Sequence, residues 1–393
     1  MGEFLNRMEL KLESESMNPL SGWQLQEFMY NINKGYTKLD LINEISRLIN
    51  EGENPENIII INKSYDINNS YSYFRKSQEY YLGKSKVVEK LYNLGRPISM
   101  FPNKKIKKIE IIFNLYENLY TLFRANNIYR ISKKQLKKYV ELPFYDAIRE
   151  IENDANRIID SLEFENTNKS LAIKEKLNEF LERARLNYYD FFEDQNNIKN
   201  FNSIIDKEFT QLSEDEIILQ RDMEQKYYNR FYKCLKKVDR PIILRYNNIN
   251  NTLSLVKKEY MLNDVESENF LDYKDYSHNS PFVITIVAGL MIVSIGALLY
   301  KGSKQEKLNI EQREKNDSKE KEIDTSIENL IRNLSNSPEL NHVKNIENKF
   351  INHKLNDLNE KTKKSLEKIL KQKSVTKGVI DLEKYKKVKK NKI

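Results

Sequence analysis

The sequence predicts an all-α fold, a helical bundle or long helical hairpins, followed by one transmembrane helix and a charged, partly helical tail. Three observations carry this. Apolar residues recur three and four apart along residues 20–262, the period of an amphipathic helix. Ser132-x-x-Gln135 and Ser213-x-x-Glu216 read as capping boxes at helix starts. A run without any charge, Phe282 to Tyr300, has the length of a bilayer core.

The first helix is expected around Leu41, Ile45 and Leu48, with Gly52 ending it. Trp23, beside Leu25 and Phe28, reads as a core or staple residue. Ile58–Ile61 suits a short strand, but one strand makes no sheet. The apolar positions Ile106, Ile109, Phe113, Tyr116, Tyr120 and Phe123 step by three and four, and Ile112, Leu115, Leu119 and Leu122 widen that face. Phe144, Ile148, Ile151, Ala155, Ile158 and Leu162 form the next stripe, and Ile173, Leu177, Phe180 and Ala184 another. Leu219, Met223, Tyr227, Phe231, Cys234 and Val238 follow, which puts the single cysteine in a core. Ile242, Tyr246, Ile249, Leu253, Val256 and Tyr260 make a weaker helical stripe. Pro97, Pro102, Pro143 and Pro241 punctuate the pattern.

The expected organisation is a helical domain over residues 1–262, an acidic linker over 263–281, the span over 282–300 and a basic tail over 301–393. Eleven Phe, Val, Ile and Leu side chains in the span favour insertion by about 3–7 kcal/mol. Asp264, Glu266, Glu268, Asp272 and Asp275 precede it; Lys301, Lys304, Lys307, Arg313, Lys315 and Lys319 follow it. The positive-inside rule then puts the tail in the cytosol and the N-terminal part outside or in a lumen. The tail contains two short amphipathic stretches, one through Ile323, Ile327, Leu330 and Leu334 and one through Leu355, Leu358, Leu366 and Ile369.

Net charge is +8, and the tail holds it: 24 Lys+Arg stand against 15 Asp+Glu beyond residue 300, so the rest is near neutral. Lys384, Lys386, Lys387, Lys389, Lys390 and Lys392 form the candidate binding site, an electrostatic contact for anionic lipid or for nucleic acid. Lysine clusters at 104–108 and 133–138 flank apolar stripes and read as solvated helix faces.

Most catalytic chemistries lack their residues. The three histidines, His278, His342 and His353, all lie beyond residue 277, so no Ser–His or Cys–His pair forms before it. One cysteine allows no intrachain disulfide and no cysteine-rich zinc site. Gly83-Lys84-Ser85 resembles the end of a phosphate-binding loop, but the loop's first glycine would fall at Gln78, and Ser77–Tyr80 does not read as a strand. No catalytic, cofactor-binding or metal-binding residue is therefore expected.

The resulting expectation is a non-enzymatic single-pass membrane protein with a structural or interaction role. Its partners would be the bilayer, an anionic surface at the tail, and another protein or a second copy through the helices. The Asn-, Lys-, Ile- and Tyr-rich palette fits an A+T-rich genome, for which an envelope or virion membrane component is one form of that role. The alternatives are a coiled-coil membrane tether or fusion device, and a membrane-anchored enzyme of unfamiliar type.

Overall fold

Most of the helical stripes form helices, but three apolar segments pair as sheets instead. A computed structural model describes residues 8–14, 21–64, 79–128, 131–161, 167–204, 212–257, 271–277, 283–288, 349–372 and 375–380. In chain order the elements are β1 (Met8–Ser14), α1 (Gly22–Asn50), β2 (Ile58–Ile61), β3 (Glu79–Tyr81), α2 (Ser85–Leu94), β4 (Pro97–Ser99) and α3 (Lys104–Ala125). Then come α4 (Leu136–Glu141), α5 (Phe144–Asp160), α6 (Thr167–Ile204), α7 (Glu214–Met223), a π turn (Glu224–Tyr228) and α8 (Asn229–Lys237). The hairpin β5 (Ile243–Asn247) and β6 (Thr252–Val256) follows, then β7 (Asp272–Ser277), β8 (Val283–Ala288), α9 (Lys349–Gln372) and β9 (Val375–Ile380). Two units divide them: a central one, Glu53–Val256, and a terminal one, Met1–Gly52 with Lys257–Ile393.

The central unit holds a five-stranded antiparallel sheet in the order β3-β6-β5-β2-β4. This corrects the all-α expectation. Ile58–Ile61 is not an isolated strand: β4 pairs on one edge and β5 on the other, and all four isoleucines are fully buried. Burial on both faces explains why they do not alternate with polar residues. The stripe from Ile242 to Val256 belongs to the β5–β6 hairpin. Residues four apart share a side in a strand as well as in a helix, so that spacing fits both. The turn decides between them. Asn247 Oδ1 accepts from the backbone N–H groups of Ile249 (3.0 Å) and Asn250 (3.2 Å), and Asn251 adopts a positive φ of 51°.

Helix α3 is built as its stripe implies, with Ile106, Ile109, Ile112, Phe113, Tyr116, Leu119 and Phe123 buried. Asn103 caps it by accepting from Lys105 N (3.0 Å) and Ile106 N (3.1 Å). Helices α5 and α6 pack together, with Phe144 stacked on Tyr188 at 3.7 Å. The Ser213–Glu216 capping box forms in both directions. The π turn absorbs one extra residue, so the buried positions run Met223, Tyr228, Phe231 rather than through Tyr227. Cys234 is buried, and its thiol donates to the Ile61 carbonyl at 3.5 Å, tying α8 to β2.

In the terminal unit, β7-β8-β1-β9 form a four-stranded antiparallel sheet. Helix α1 starts at a capping box between Ser21 and Gln24 and ends before Gly52, whose φ is +92°. It packs along α9, where Leu355, Leu358, Leu366 and Leu370 are buried. Trp23 is 84% exposed, not a core residue.

The membrane expectation is overturned here. Val283–Ala288, the first part of the expected span, is a strand between β7 and β1. Among the described residues no helix is long and apolar enough to cross a membrane. Residues 289–300 lie outside the described residues, as does the stretch Ile323–Leu334. The inside–outside assignment falls with the span. Strand β1 pairs directly with β9, and α1 packs on α9, although flanking charge puts those segments on opposite sides of a bilayer. Absence of charge does not separate a membrane helix from an interior strand, and the β-branched run Val283-Ile-Thr-Ile-Val287 favours the strand.

A Cβ on Gly35 of α1 would sit 2.3 Å from Leu366 Cδ2 of α9, and Leu366 is itself buried. Gly35→Val is therefore expected to destabilise the full chain by about 1–3 kcal/mol. Leu366→Ala should relieve part of that cost in the double variant. Denaturant titration checks both, and strictly additive effects would contradict the α1–α9 contact.

Candidate functional site

The chain leaves α2 through Gly95, whose φ is +144°. A side chain there would strike Asn62 Oδ1 at 2.7 Å and Ile61 Cγ2 at 2.8 Å, so glycine lets β4 start tight against the end of β2. This turn places Arg96 inside. Its Nε donates to Asn114 Oδ1 (3.2 Å), Nη1 to the carbonyls of Tyr92 (3.2 Å) and Gly95 (3.4 Å), and Nη2 to Glu117 Oε2 (2.8 Å). The guanidinium lies 4.5 Å from the centre of the Tyr92 ring and 5.7 Å from that of Phe113. The Tyr92 hydroxyl donates to Glu117 as well.

Burial, then the Glu117 carboxylate, pushes the Tyr92 phenol up. Partial burial pushes Glu117 upward, but the Tyr92 hydrogen bond and Arg96 outweigh it and hold the carboxyl below its usual range. At neutral pH the phenol is thus protonated and the carboxylate charged. The cluster fastens α2, β4 and α3 together and offers no group poised to exchange protons.

Two further charged groups are buried in the central unit. Lys108 is buried and donates to the Leu142 carbonyl at 2.8 Å; burial first, then Lys105 and Lys104, lower its ammonium to about 8. It caps the carboxyl end of α4, where a cation is favoured. Glu110 is held by Lys107 (3.1 Å) and Arg230, in a cleft that Ile98, Pro102 and Tyr227 also line. The cleft encloses about 10 Å³, room for no more than one water. It is not a substrate pocket, and among the described residues no group of His, Cys, Asp and Glu could hold a metal ion.

The remaining feature is a surface. Strand β3 leads through a short turn into α2, so Gly83-Lys84-Ser85 does sit between a strand and a helix. The resemblance to a phosphate-binding loop still fails, because Glu79–Tyr81 is in the sheet, at positions the long loop needs. The Ser85 hydroxyl contacts the Lys134 carbonyl (3.4 Å), and Lys133 Nζ donates to Asn93 Oδ1 (2.7 Å) while lying 5.3 Å from the Tyr92 ring centre. These contacts bring the turn 133–135 alongside α2. Lys84, Lys86, Lys133 and Lys134 are exposed and Lys90 is half-buried. Among the described residues Lys84, Lys90, Lys133 and Lys134 form no ion pair. The nearby acid, Glu89, accepts the Ser85 hydroxyl at 3.0 Å. Charge is uneven along the central unit: residues 53–141 carry 17 Lys+Arg and 8 Asp+Glu, residues 142–256 carry 17 and 21.

Lys384, Lys386, Lys387, Lys389, Lys390 and Lys392, the site expected from sequence, lie outside the described residues. The sequence separates Lys84–Lys90 from Lys133–Lys134 by some forty residues, and only packing brings them together. The helical spacing of Lys86 and Lys90 and the lysine cluster at 133–138 were visible separately, but nothing in the sequence joins them. Comparison with protein-family models, with curated proteins and with solved structures finds no match for this chain.

Three outcomes follow for stability. Arg96→Met should cost about 2–4 kcal/mol, because it strips Glu117 and two carbonyls of their partner. Because its folded value is depressed, Glu117 contributes stability that is full above pH 4.5 and is lost as pH falls from there through the lower folded value. Glu117→Gln should flatten this acid limb in denaturation curves, and an unchanged limb would contradict the assignment. Lys108 gives a slope of the same sign in an alkaline window. Between about pH 8 and 10.5 the unfolded chain holds the proton more tightly, so stability should rise with pH, and Lys108→Met should abolish that rise.

Proposed function

We propose that this chain is a non-enzymatic binding protein whose central unit holds an anionic partner on the face formed by α2 and the turn 133–135. The observation that supports this is the convergence of Lys84, Lys86 and Lys90 with Lys133 and Lys134, where the nearby acids Glu89 and Glu117 are engaged by Ser85 and by Arg96 and Tyr92. Like charges gathered on a folded surface repel one another, and a polyanion relieves that repulsion by releasing its own counterions. The Arg96 cluster holds α2 in place beneath them, so the lysines project from a rigid helix. The six tail lysines supply a second, independent source of attraction for the same kind of partner.

The test separates the two sources. Binding of the full chain to fluorescent heparin is measured against salt. Changing Lys84, Lys90 and Lys133 together to glutamate should weaken binding at least tenfold at low salt. The log–log salt slope should fall by about three, roughly one for each lost contact. Alanine at the six tail lysines should leave the remaining affinity sensitive to the three glutamates. An affinity that depends on the tail lysines alone would refute the helix-face reading.

A further inference from the structure

We infer that the anionic partner of this face is single-stranded nucleic acid, with one base stacked on Tyr81; the inference rests on the binding reading above. Tyr81 is the last residue of β3, which among the described residues pairs with β6 alone, at the edge of the sheet. Its neighbour Tyr80 turns into the core, and Tyr81 points the other way, 47% exposed. Its position is set by the backbone around it. The Tyr81 carbonyl accepts from Lys84 N at 3.1 Å, and Leu82 N donates to the Asn251 carbonyl at 3.0 Å.

The ring lies over Gly83. A Cβ on that glycine would come within 2.3 Å of Tyr81 Cε1 and 2.5 Å of Cζ. Glycine thus lets the hydroxyl end of the ring come against the turn, while about half of Tyr81 stays exposed. A large exposed ring held this way loses little freedom when a flat ligand covers it. Lys84 follows at the start of α2, and Lys86 and Lys90 continue along the helix. From Lys84 to Lys90 the helix rises about 9 Å, which matches two to three stacked nucleotides at about 3.4 Å each. Lys133 and Lys134 border the same face.

A platform next to a row of cations is the arrangement that holds single strands: bases stack on the aromatic face and phosphates follow the lysines. A duplex hides its base faces within its own stack, so it gains from the lysines and not from Tyr81. An anionic bilayer likewise gains from the lysines, with no flat ring to offer. The Tyr81 contribution therefore discriminates between partners that charge alone treats alike.

The experiment uses the full chain with Lys384, Lys386, Lys387, Lys389, Lys390 and Lys392 changed to alanine, so that the tail does not mask the face. Fluorescence anisotropy is read with a labelled mixed-sequence 12-nucleotide single strand and with its duplex, and co-sedimentation with phosphatidylserine vesicles. The single strand should bind more tightly than the duplex or the vesicles. Tyr81→Ala should weaken single-strand binding about tenfold and leave duplex binding unchanged, and Tyr81→Phe should restore it. Circular dichroism of each variant guards against unfolding. Equal loss for single strand and duplex in Tyr81→Ala, no loss in either, or a preference for duplex or vesicles would each overturn the inference. Heparin binding that still responds to Lys84→Glu, Lys90→Glu and Lys133→Glu would then leave the broader binding reading standing. Loss of that response would remove both.

Discussion

Four consecutive isoleucines must be hidden on both faces at once, and the central unit is arranged around that requirement. Ile58–Ile61 is fully buried, so its backbone groups need partners on both edges, because an unpaired buried peptide group costs about as much as a lost hydrogen bond. Strands β4 and β5 supply them, and α8 packs against the strand, with Cys234 bonded to the Ile61 carbonyl. Burying one isoleucine contributes about 1.5–3 kcal/mol, so this single strand outweighs any exposed ion pair in the unit.

The placement of the lysine face depends on the same strand. Because β4 must lie against β2, the chain has to leave α2 abruptly, and Gly95 makes that exit possible. The exit carries Arg96 inward, where a buried cation is tolerated only with partners for its donors. Glu117, Asn114, two carbonyls and the face of Tyr92 provide them. The result orients α2 so that its apolar side faces the core and Lys86 and Lys90 face out. A packing demand in the sheet thus sets where the cations stand, and electrostatics then decides what such a surface attracts.

The terminal unit shows why apolar length is a poor guide to a membrane. A charge-free run rich in β-branched residues satisfies the bilayer criterion, and its residues Val283–Ala288 also make a strand between two others. What separates the outcomes is whether the chain supplies edge partners, and here they come from residues 8–14 and 272–277. Hydrogen bonds to segments so far away in sequence leave no local signature.

Local physics was enough for the helices. The stripes of α3, α5 and α6, the Ser213 box and the Gly52 stop depend on residues within a turn or two of one another, so spacing and capping alone determined them. The same reasoning put Cys234 in a core, and it is there. Spacing does not tell a strand from a helix when residues are four apart, which is how β5 and β6 were read as helical. Trp23 followed an apolar pattern yet stands in the open, because pattern does not say which side a neighbour covers. The sheets, the Arg96 cluster and the meeting of Lys84–Lys90 with Lys133–Lys134 join segments tens to hundreds of residues apart. Only the tertiary structure decided those, since each requires two distant surfaces to lose their water together, and no single segment records its partner.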